Sequence, residues 1–254
     1  MKTVPVRVAL CLGVSLVAGA GSATASWAFR PQAASAPIMV SVAGPAKLAV
    51  RNVHDYHASD GTLWFEGEIV NTGTADASAV AVLLSLYNRQ GERLARGGAL
   101  TISANVLPPG ATGVWATDMD DTPATWARVH IELGEQNTAD DYRAHNDTRV
   151  KAVGVTLGSD NPGYSEKVTG RVVNTGPATA RVDEIIAAFY DKSGTLVRVA
   201  DGGQLYPYAT SQQVPAGGSA PFVVTANGYT GKPARVVVYV RAEKKPQPGG
   251  FEIG

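Results

Sequence analysis

Three acidic side chains that lie close together in the sequence could bind a metal ion. Asp118, Asp120 and Asp121 bring three carboxylates into a stretch of four residues. Hard cations such as Ca²⁺ prefer several carboxylate and carbonyl oxygens from a flexible loop. The cluster lacks the glycine and the twelfth-position glutamate of helix–loop–helix calcium sites. It therefore indicates either a Ca²⁺ site or an acidic turn ahead of Thr122-Pro123.

Two histidines form a second group with ligand chemistry. His54 and His57 flank Asp55, and a neutral imidazole is a common metal ligand. On a strand, residues three apart face opposite sides, so both could bind one ion only if the chain bends near Ser59-Asp60-Gly61. The alternative is a solvated loop.

Motifs for catalysis are missing from the sequence. It contains no Gly-x-Ser-x-Gly elbow, phosphate-binding loop, dinucleotide fingerprint or His-Glu-x-x-His helix. His130 and Glu132 would share one face of a strand, but no serine is paired with them by spacing. The single cysteine, Cys11, lies in the leader described next, which excludes thiol catalysis in an exported chain. We therefore expect a protein that is not an enzyme.

The N-terminus predicts export. Lys2 and Arg7 precede an uncharged apolar run from Val8 to Ala20, and Ala23-Thr24-Ala25 offers small residues for signal peptidase. The run is short for a membrane anchor, the alternative interpretation, and no later stretch has spanning length. We expect a secreted or periplasmic protein, associated with the cell envelope, without a membrane span in the mature chain.

Charge and composition limit the partners and the fold. The 22 Lys and Arg balance 22 Asp and Glu, so the net charge is zero and a nucleic-acid partner is not expected. A hydrophobic fraction of 44% can supply real cores, and 28 Gly with 15 Pro favour many short elements. A protein or a component of the cell envelope is the expected partner.

An internal repeat organises the rest of the chain. Residues 67–73, GEIVNTG, recur 103 residues later as GRVVNTG at 170–176, and Tyr87 recurs as Tyr190 in the same register. The Pro-Gly turn at Gly110 recurs 107 residues later at Gly217. One insertion of four residues, placed between 202 and 213, explains the change. The chain therefore contains two copies of one unit.

Each copy is predicted to consist of strands. Phe65, Gly67 and Ile69 alternate with polar residues, which is typical of a strand buried on one face. The run from Val80 to Tyr87 is apolar on both faces, which indicates a central strand. Short strands and frequent turns predict an all-β chain with scarce helix: two tandem immunoglobulin-like or fibronectin-like β-sandwich domains after a signal peptide.

The repeat and the changes in composition set the predicted boundaries. The apolar residues of 38–42 could add an edge strand to the segment before the first copy. The predicted parts are a signal peptide (1–25), a lead-in segment (26–47), a first β-sandwich repeat (48–134), a linker (135–149), a second β-sandwich repeat (150–242) and a flexible tail (243–254).

Both copies resemble the FxLYD domain, a β-sandwich module of exported bacterial and archaeal proteins. The name motif corresponds to Leu84-Ser85-Leu86-Tyr87-Asn88 in the first copy and Ala187-Ala188-Phe189-Tyr190-Asp191 in the second. The family's Gly-x-Val-x-Asn-x-Gly strand and Pro-Gly turn are matched by the repeated landmarks named above. The resemblance implies a fold and an exported location, and it brings no catalytic residues.

The two copies differ where a partner could bind. In the last strand His130 and Glu132 of the first copy are replaced by Val237 and Tyr239, and the inserted loop adds Tyr206 and Tyr208. Exposed tyrosines beside apolar residues favour recognition. This surface is predicted either to bind a partner or to pack on the first copy.

These observations predict an exported, non-enzymatic interaction or structural module. The alternative is an accessory protein that binds a metal or a small molecule through the acidic cluster or the two histidines. No cofactor is expected apart from the Ca²⁺ that the acidic cluster could bind.

Overall fold

A computed structural model describes residues 38–42, 48–58, 61–78, 80–98, 101–104, 106–119, 126–135, 147–161, 165–205, 212–227 and 232–244. These ranges belong to one compact unit, residues 34–254. They form strands and turns without a helix, which confirms the all-β prediction, and so they contain no helix that could span a membrane. The predicted leader, the centre of the predicted linker and the end of the predicted tail lie outside them.

The N-terminal half, residues 38–135, contains the first copy of the repeat and two larger sheets. One sheet has the strand order β1-β10-β5-β6 and the other β2-β3-β9-β7, and β4 pairs with β8. The strands are β1 (Ile38–Val42), β2 (Leu48–His57), β3 (Leu63–Asn71), β4 (Ala77–Ser78), β5 (Val80–Tyr87), β6 (Arg93–Gly98), β7 (Thr101–Ile102), β8 (Val106–Leu107), β9 (Thr112–Met119) and β10 (Arg128–Glu135).

The edge strand suggested for residues 38–42 is confirmed as β1, which runs parallel to β10. The apolar run from Val80 to Tyr87 is confirmed as a central strand, since β5 lies between β10 and β6. Alternate residues of both sheets meet in one core, because period-two alternation turns every second side chain inward. The largest buried side chains of this core are Trp115, Phe65, Leu63, Ile69, Leu84, Leu86, Leu107, Ile131 and Leu133.

The C-terminal half, residues 147–244, contains the second copy. Its strands follow the order β11-β12-β16-β14-β13-β15, and β17 pairs with β13. They are β11 (Val150–Asn161), β12 (Ser165–Asn174), β13 (Ala180–Tyr190), β14 (Leu196–Leu205), β15 (Gln213–Val214), β16 (Ser219–Asn227) and β17 (Arg235–Lys244). A separate core contains Phe189, Phe222, Ile185, Val168 and Val224. The last strand extends two residues into the predicted tail.

Strand β14 locates the four-residue insertion. It pairs first with β13 and then, at Gln204 and Leu205, with Val223 and Phe222 of β16. In the N-terminal half two separate strands make the equivalent pairings. Strand β6 pairs with β5, and β7 pairs with β9 through Thr101 opposite Ala116 and Ile102 opposite Trp115. The extra residues therefore lie between Leu205 and Gln213, within the predicted interval.

The asparagine of the repeated Asn-Thr-Gly motif ties three chain segments together in each half. Asn71, fully buried, donates from Nδ2 to the carbonyls of Ala75 (2.8 Å) and Leu107 (2.7 Å), and its Oδ1 accepts from the Gly73 N–H (2.9 Å). Asn174 makes the equivalent bonds to Ala178, Val214 and Gly176. Buried amides need such partners, which explains why an asparagine ends this strand twice.

The repeated glycine before that asparagine makes room for an aromatic ring. Gly67 is paired with Trp115, and a Cβ on the glycine would lie 2.8 Å from the indole. Gly170 is paired with Phe222, and the corresponding distance is 2.7 Å. A side chain at either glycine would displace a ring that forms the centre of a core.

One prediction about β3, the strand that contains Gly67, is wrong in part. The alternation in β3 predicted a strand with one solvated face, yet Glu66 is 0% and Glu68 is 6% exposed. The alternation itself is correct, since Phe65 and Ile69 lie in the core of the N-terminal half. The opposite face is buried because the C-terminal half covers it.

Candidate functional site

Several buried polar side chains of the described residues, Glu66, Glu68 and Tyr190 among them, lie where the two halves meet. The surrounding contact is apolar: the outer face of β9 meets β13 and β14 in a third buried cluster, and Trp64, Val237 and Tyr239 pack against it. Its members are Val114, Ala116, Ile186, Ala188, Tyr190, Leu196 and Val199. We call these residues, with the polar groups they surround, the inter-half contact.

Glu66 is the most deeply buried charged residue of this contact. Strand β3 carries it, and one carboxylate oxygen accepts the backbone N–H of Val199 at 2.8 Å. The other accepts a hydrogen bond from the Arg198 guanidinium, and His54 Nε2 lies 3.2 Å from the carboxylate. Burial raises the pKa of the Glu66 carboxyl, while the His54 and Val199 hydrogen bonds oppose that rise. The N-terminal half thus places a buried carboxylate against two hydrogen-bond donors of the C-terminal half.

Arg198 of β14 is held between this carboxylate and two aromatic rings. Its guanidinium lies 4.3 Å from the ring centroid of Tyr56 and 5.9 Å from that of Trp64, and it also donates to the Tyr56 hydroxyl. Tyr56 and Trp64 stack with their ring centroids 6.3 Å apart. Burial lowers the pKa of Arg198 to about 10, so the side chain is a cation at neutral pH.

Glu68 forms a second polar bridge between the halves. Its Oε1 accepts a hydrogen bond from the Tyr190 hydroxyl at 2.9 Å, and its Oε2 accepts one from Asn52 Nδ2 at 2.7 Å. Arg51 Nε lies 3.7 Å from the same oxygen. Burial, the nearby Tyr239 and the Glu68 hydrogen bond all raise the pKa of Tyr190. The phenol therefore stays a neutral donor.

A bulge in β2 places several of these groups. The pairing of β2 with β3 shifts between Arg51 and His54, and Asn52 adopts a φ of 51°. Asparagine tolerates this left-handed conformation better than most residues. In the C-terminal half the same shift occurs between Val153 and Thr156, where Gly154 has a φ of 59°. The bulge belongs to the repeat, whereas the Asn52 hydrogen bond to Glu68 belongs to the first copy.

The chemistry open to this cluster is limited by its own hydrogen bonds. All four carboxylate oxygens of Glu66 and Glu68 accept a bond from a neighbouring group of the chain. Arg198 is engaged by a carboxylate and by aromatic rings. The arrangement is suited to fixing two surfaces against each other, because buried charges are stable only when paired.

The residues predicted to bind a metal are not brought together among the described ranges. Asp118 lies on β9 opposite Trp64, and Asp120 and Asp121 lie outside the described residues. His54 Nδ1 is 3.3 Å from the Asn52 carbonyl, and His57 Nδ1 is 3.2 Å from that of Gly61. Within the described ranges no three histidine or acidic side chains are grouped to hold a metal ion.

Of the residues predicted to bind a partner, two lie at the inter-half contact. Val237 and Tyr239 of β17 pack against its apolar cluster, which is the arrangement named as the alternative to partner binding. Tyr206 and Tyr208 lie outside the described residues. His130 and Glu132 share a face of β10 as expected, with His130 Nε2 3.5 Å from Glu132 Oε1.

Sequence reasoning missed Glu66, Glu68 and Arg198. A signal was present: the second copy has Thr169 and Arg171 where the first has the two glutamates. Such a difference between copies in an otherwise matching strand indicates a surface used by one copy alone. The alternation could show which face carries the glutamates, but it could not show what covers that face.

Comparisons with known proteins add little to this geometry. No protein-family model matches the chain, and no curated protein matches it. The crystal structure of red sea bream transglutaminase is similar over 79% of this chain and 29% of that chain, with 11% identity and a TM-score of 0.22. A likeness this weak says nothing about the function of this chain.

Proposed function

We propose that the chain is an exported, non-enzymatic protein of two tandem immunoglobulin-like β-sandwich domains of the FxLYD type. It acts as an interaction or structural module at the cell surface or in the medium. The matching roles of Asn71 and Asn174, and of Gly67 and Gly170, support two domains of one type. The leader sequence supports export.

The observation that carries this proposal is the use of the buried ionisable groups. Hydrogen bonds between the halves engage the side chains of Glu66, Arg198, Glu68 and Tyr190. A catalytic acid or base needs a proton or a substrate within hydrogen-bond reach, and the carboxylate oxygens here are already bonded within the chain. The role of the cluster is therefore to hold two sandwich domains in one fixed arrangement.

A rigid pair of domains presents its remaining surfaces at a defined separation. Among the described residues, the outer face of the β1-β10-β5-β6 sheet and the outer face of β11, β12 and β16 contribute no member of the apolar cluster at the inter-half contact. A tandem module of this kind acts as a spacer or a bivalent binder, because fixed geometry lowers the entropy cost of engaging two sites.

The test is cross-linking and mass spectrometry on the surface and culture fluid of the source cells. We expect cross-links from this chain to a protein or envelope component, and no turnover when a panel of glycan and ester substrates is added to the purified chain. Turnover that is lost in a variant of the inter-half contact would overturn the proposal. Recovery of the chain in the cytosol alone would also overturn it.

A further inference from the structure

His54 lies between two oxygen atoms that accept hydrogen bonds. Its Nδ1 is 3.3 Å from the Asn52 carbonyl oxygen, and its Nε2 is 3.2 Å from Glu66 Oε2. Nε2 is buried, and among the described residues no partner meets it with full hydrogen-bond geometry. Because Oε2 also accepts the Val199 N–H, the same carboxylate links His54 of the N-terminal half to β14 of the C-terminal half.

These contacts require one proton more than a neutral imidazole and a carboxylate supply. A neutral imidazole donates from one nitrogen and accepts at the other. Its acceptor nitrogen would therefore face either the carbonyl or the carboxylate oxygen, so that two lone pairs meet. An imidazolium donates to both oxygens, and a protonated Glu66 carboxyl would donate to Nε2 while Nδ1 donates to Asn52. Both solutions place a single additional proton on the pair.

The charges around His54 favour that proton. The ionisable groups on its own strand and on the two strands that meet it are Arg51, Asp55 and Tyr56 of β2, Glu66 and Glu68 of β3, and Arg198 and Asp201 of β14. Acidic groups outnumber basic ones in this set, so an added positive charge is stabilised. Burial also raises the pKa of the Glu66 carboxyl. Both effects keep a proton on the pair.

The repeat assigns this pair to the inter-half contact. His54 is opposite Glu66 just after the bulge in β2, whereas at the same place in the C-terminal half Thr156 is opposite Thr169. Both threonines are exposed, and Glu66 is buried. The copy whose face is covered by the other half therefore has a histidine and a glutamate where the other copy has two hydroxyl groups.

We propose that His54 and Glu66 jointly hold one proton and that this proton regulates the inter-half contact. With the proton bound, the Asn52 carbonyl and the Glu66 carboxylate are both satisfied and the halves stay together. Its loss as pH rises opposes two lone pairs at a buried surface and leaves an excess of negative charge there, so the halves separate more often. The proton belongs to the pair rather than to either residue. This inference goes beyond the proposed function and does not depend on it.

The experiment follows opening of the contact by thiol labelling of the full-length chain. Cys11→Ser removes the native thiol, and Ala188→Cys places a thiol in the contact, where Ala188 is 0% exposed. Division by the labelling rate of Thr225→Cys, at an exposed position of β16, corrects for the effect of pH on thiolate formation. We expect this ratio to rise about fivefold or more between pH 6 and 8.5, because labelling follows the population of the open form.

Two variants of the pair test whether the shared proton causes the rise. Glu66→Gln carries a permanent N–H donor towards His54, and we expect a low labelling ratio that does not change with pH. His54→Leu removes the second member of the pair while Glu66 keeps its bonds to Arg198 and Val199. We expect the rise in the labelling ratio to be lost in this variant.

The remaining outcomes would overturn the proposal. They are a labelling ratio independent of pH in the parent chain, and an equal rise in Glu66→Gln or in His54→Leu. Ala187→Cys lies in the core of the C-terminal half, and an equal rise there would indicate unfolding of that half rather than opening of the contact. If Ala188→Cys loses the circular dichroism of the strands, Ile186→Cys in the same apolar cluster replaces it as the reporter.

Discussion

At the scale of single residues, the buried pair of Glu66 and Arg198 places the strictest requirement on its surroundings, because both charges need partners. Both are largely removed from water, with side-chain exposures of 0% and 15%. Transfer of two charges out of water is costly, and their attraction repays that cost only when the remaining polar atoms are also satisfied. The Val199 N–H and the Tyr56 ring supply part of that satisfaction.

A double-mutant cycle tests this pair. We expect Glu66→Leu and Arg198→Met each to lower the free energy of unfolding by about 3 kcal/mol, because each leaves one buried group unpaired. The double variant should lose less than the sum, with a coupling of at least about 1 kcal/mol. Urea denaturation provides the measurement. Strict additivity would show that the two side chains do not interact.

The raised pKa of Glu66 gives a pH dependence of defined sign. The folded state binds this proton more tightly than the unfolded state, in which the carboxyl titrates near its ordinary 4.5. The contribution of Glu66 to stability is therefore full below that value and is lost as pH rises through the folded pKa. Relative to Glu66→Gln, the wild type should gain stability as pH falls from 7 towards 4.5.

Denaturation curves at several pH values would measure this difference, with Thr225→Ala as the control. Thr225 is exposed in β16 and carries no titratable group, so the stability difference between its variant and the wild type should show no such trend. A wild type that loses stability relative to Glu66→Gln on acidification would contradict the assignment.

At the scale of elements, the strand pairs β3–β9 and β12–β16 share one packing arrangement. A glycine in the first strand lies under an aromatic ring of the second: Gly67 under Trp115, and Gly170 under Phe222. The same pairing of glycine and ring in both halves shows that the repeat in the sequence preserves a packing arrangement as well as a pattern of strands.

Substitution of these glycines tests the packing. We expect Gly67→Ala and Gly170→Ala each to cost about 2 kcal/mol of unfolding free energy, because the new methyl group overlaps a ring in a filled core. Thermal denaturation would measure the loss. The control is Gly134→Ala in β10, where a Cβ meets nothing within 4 Å. An effect of Gly134→Ala as large as the other two would contradict the steric explanation.

The elements were largely predictable from sequence, whereas the site was not. Alternation identified Phe65 and Ile69 as core residues, and the repeat located the equivalent strands, because both signals are local. The burial of Glu66 depends on Arg198, which lies 132 residues further along the chain. No periodicity encodes which face of one sheet meets which face of another, so the inter-half contact appeared only in three dimensions.

At the scale of the whole molecule, the inter-half contact decides whether the two halves move as one body. Ala116 and Val114 of the N-terminal half meet Ile186, Ala188 and other residues of the C-terminal half, all nearly inaccessible to solvent. Apolar burial of this kind, with paired charges beside it, is stronger than the polar interfaces that usually join mobile domains.

A charged side chain in the contact should separate the halves without unfolding them. Ala188→Arg is expected to increase the radius of gyration by roughly 3 Å or more, while the circular dichroism of the strands is retained. Small-angle scattering would measure the change. Thr225→Arg, on an exposed position of β16, is the matched control. Unchanged dimensions in Ala188→Arg would show that this contact does not hold the halves together.

The two copies are unequal at the positions that touch, and this inequality limits assembly. The face that carries Glu66 and Glu68 has Thr169 and Arg171 at the same positions of the second copy, and Val237 and Tyr239 correspond to His130 and Glu132 of the first. A head-to-tail contact between like units closes into a ring or elongates into a filament. Here, among the described residues, the free face of each half carries different side chains at the equivalent positions. A further unit of the same kind would therefore not meet, at these positions, the residues that hold the two halves together.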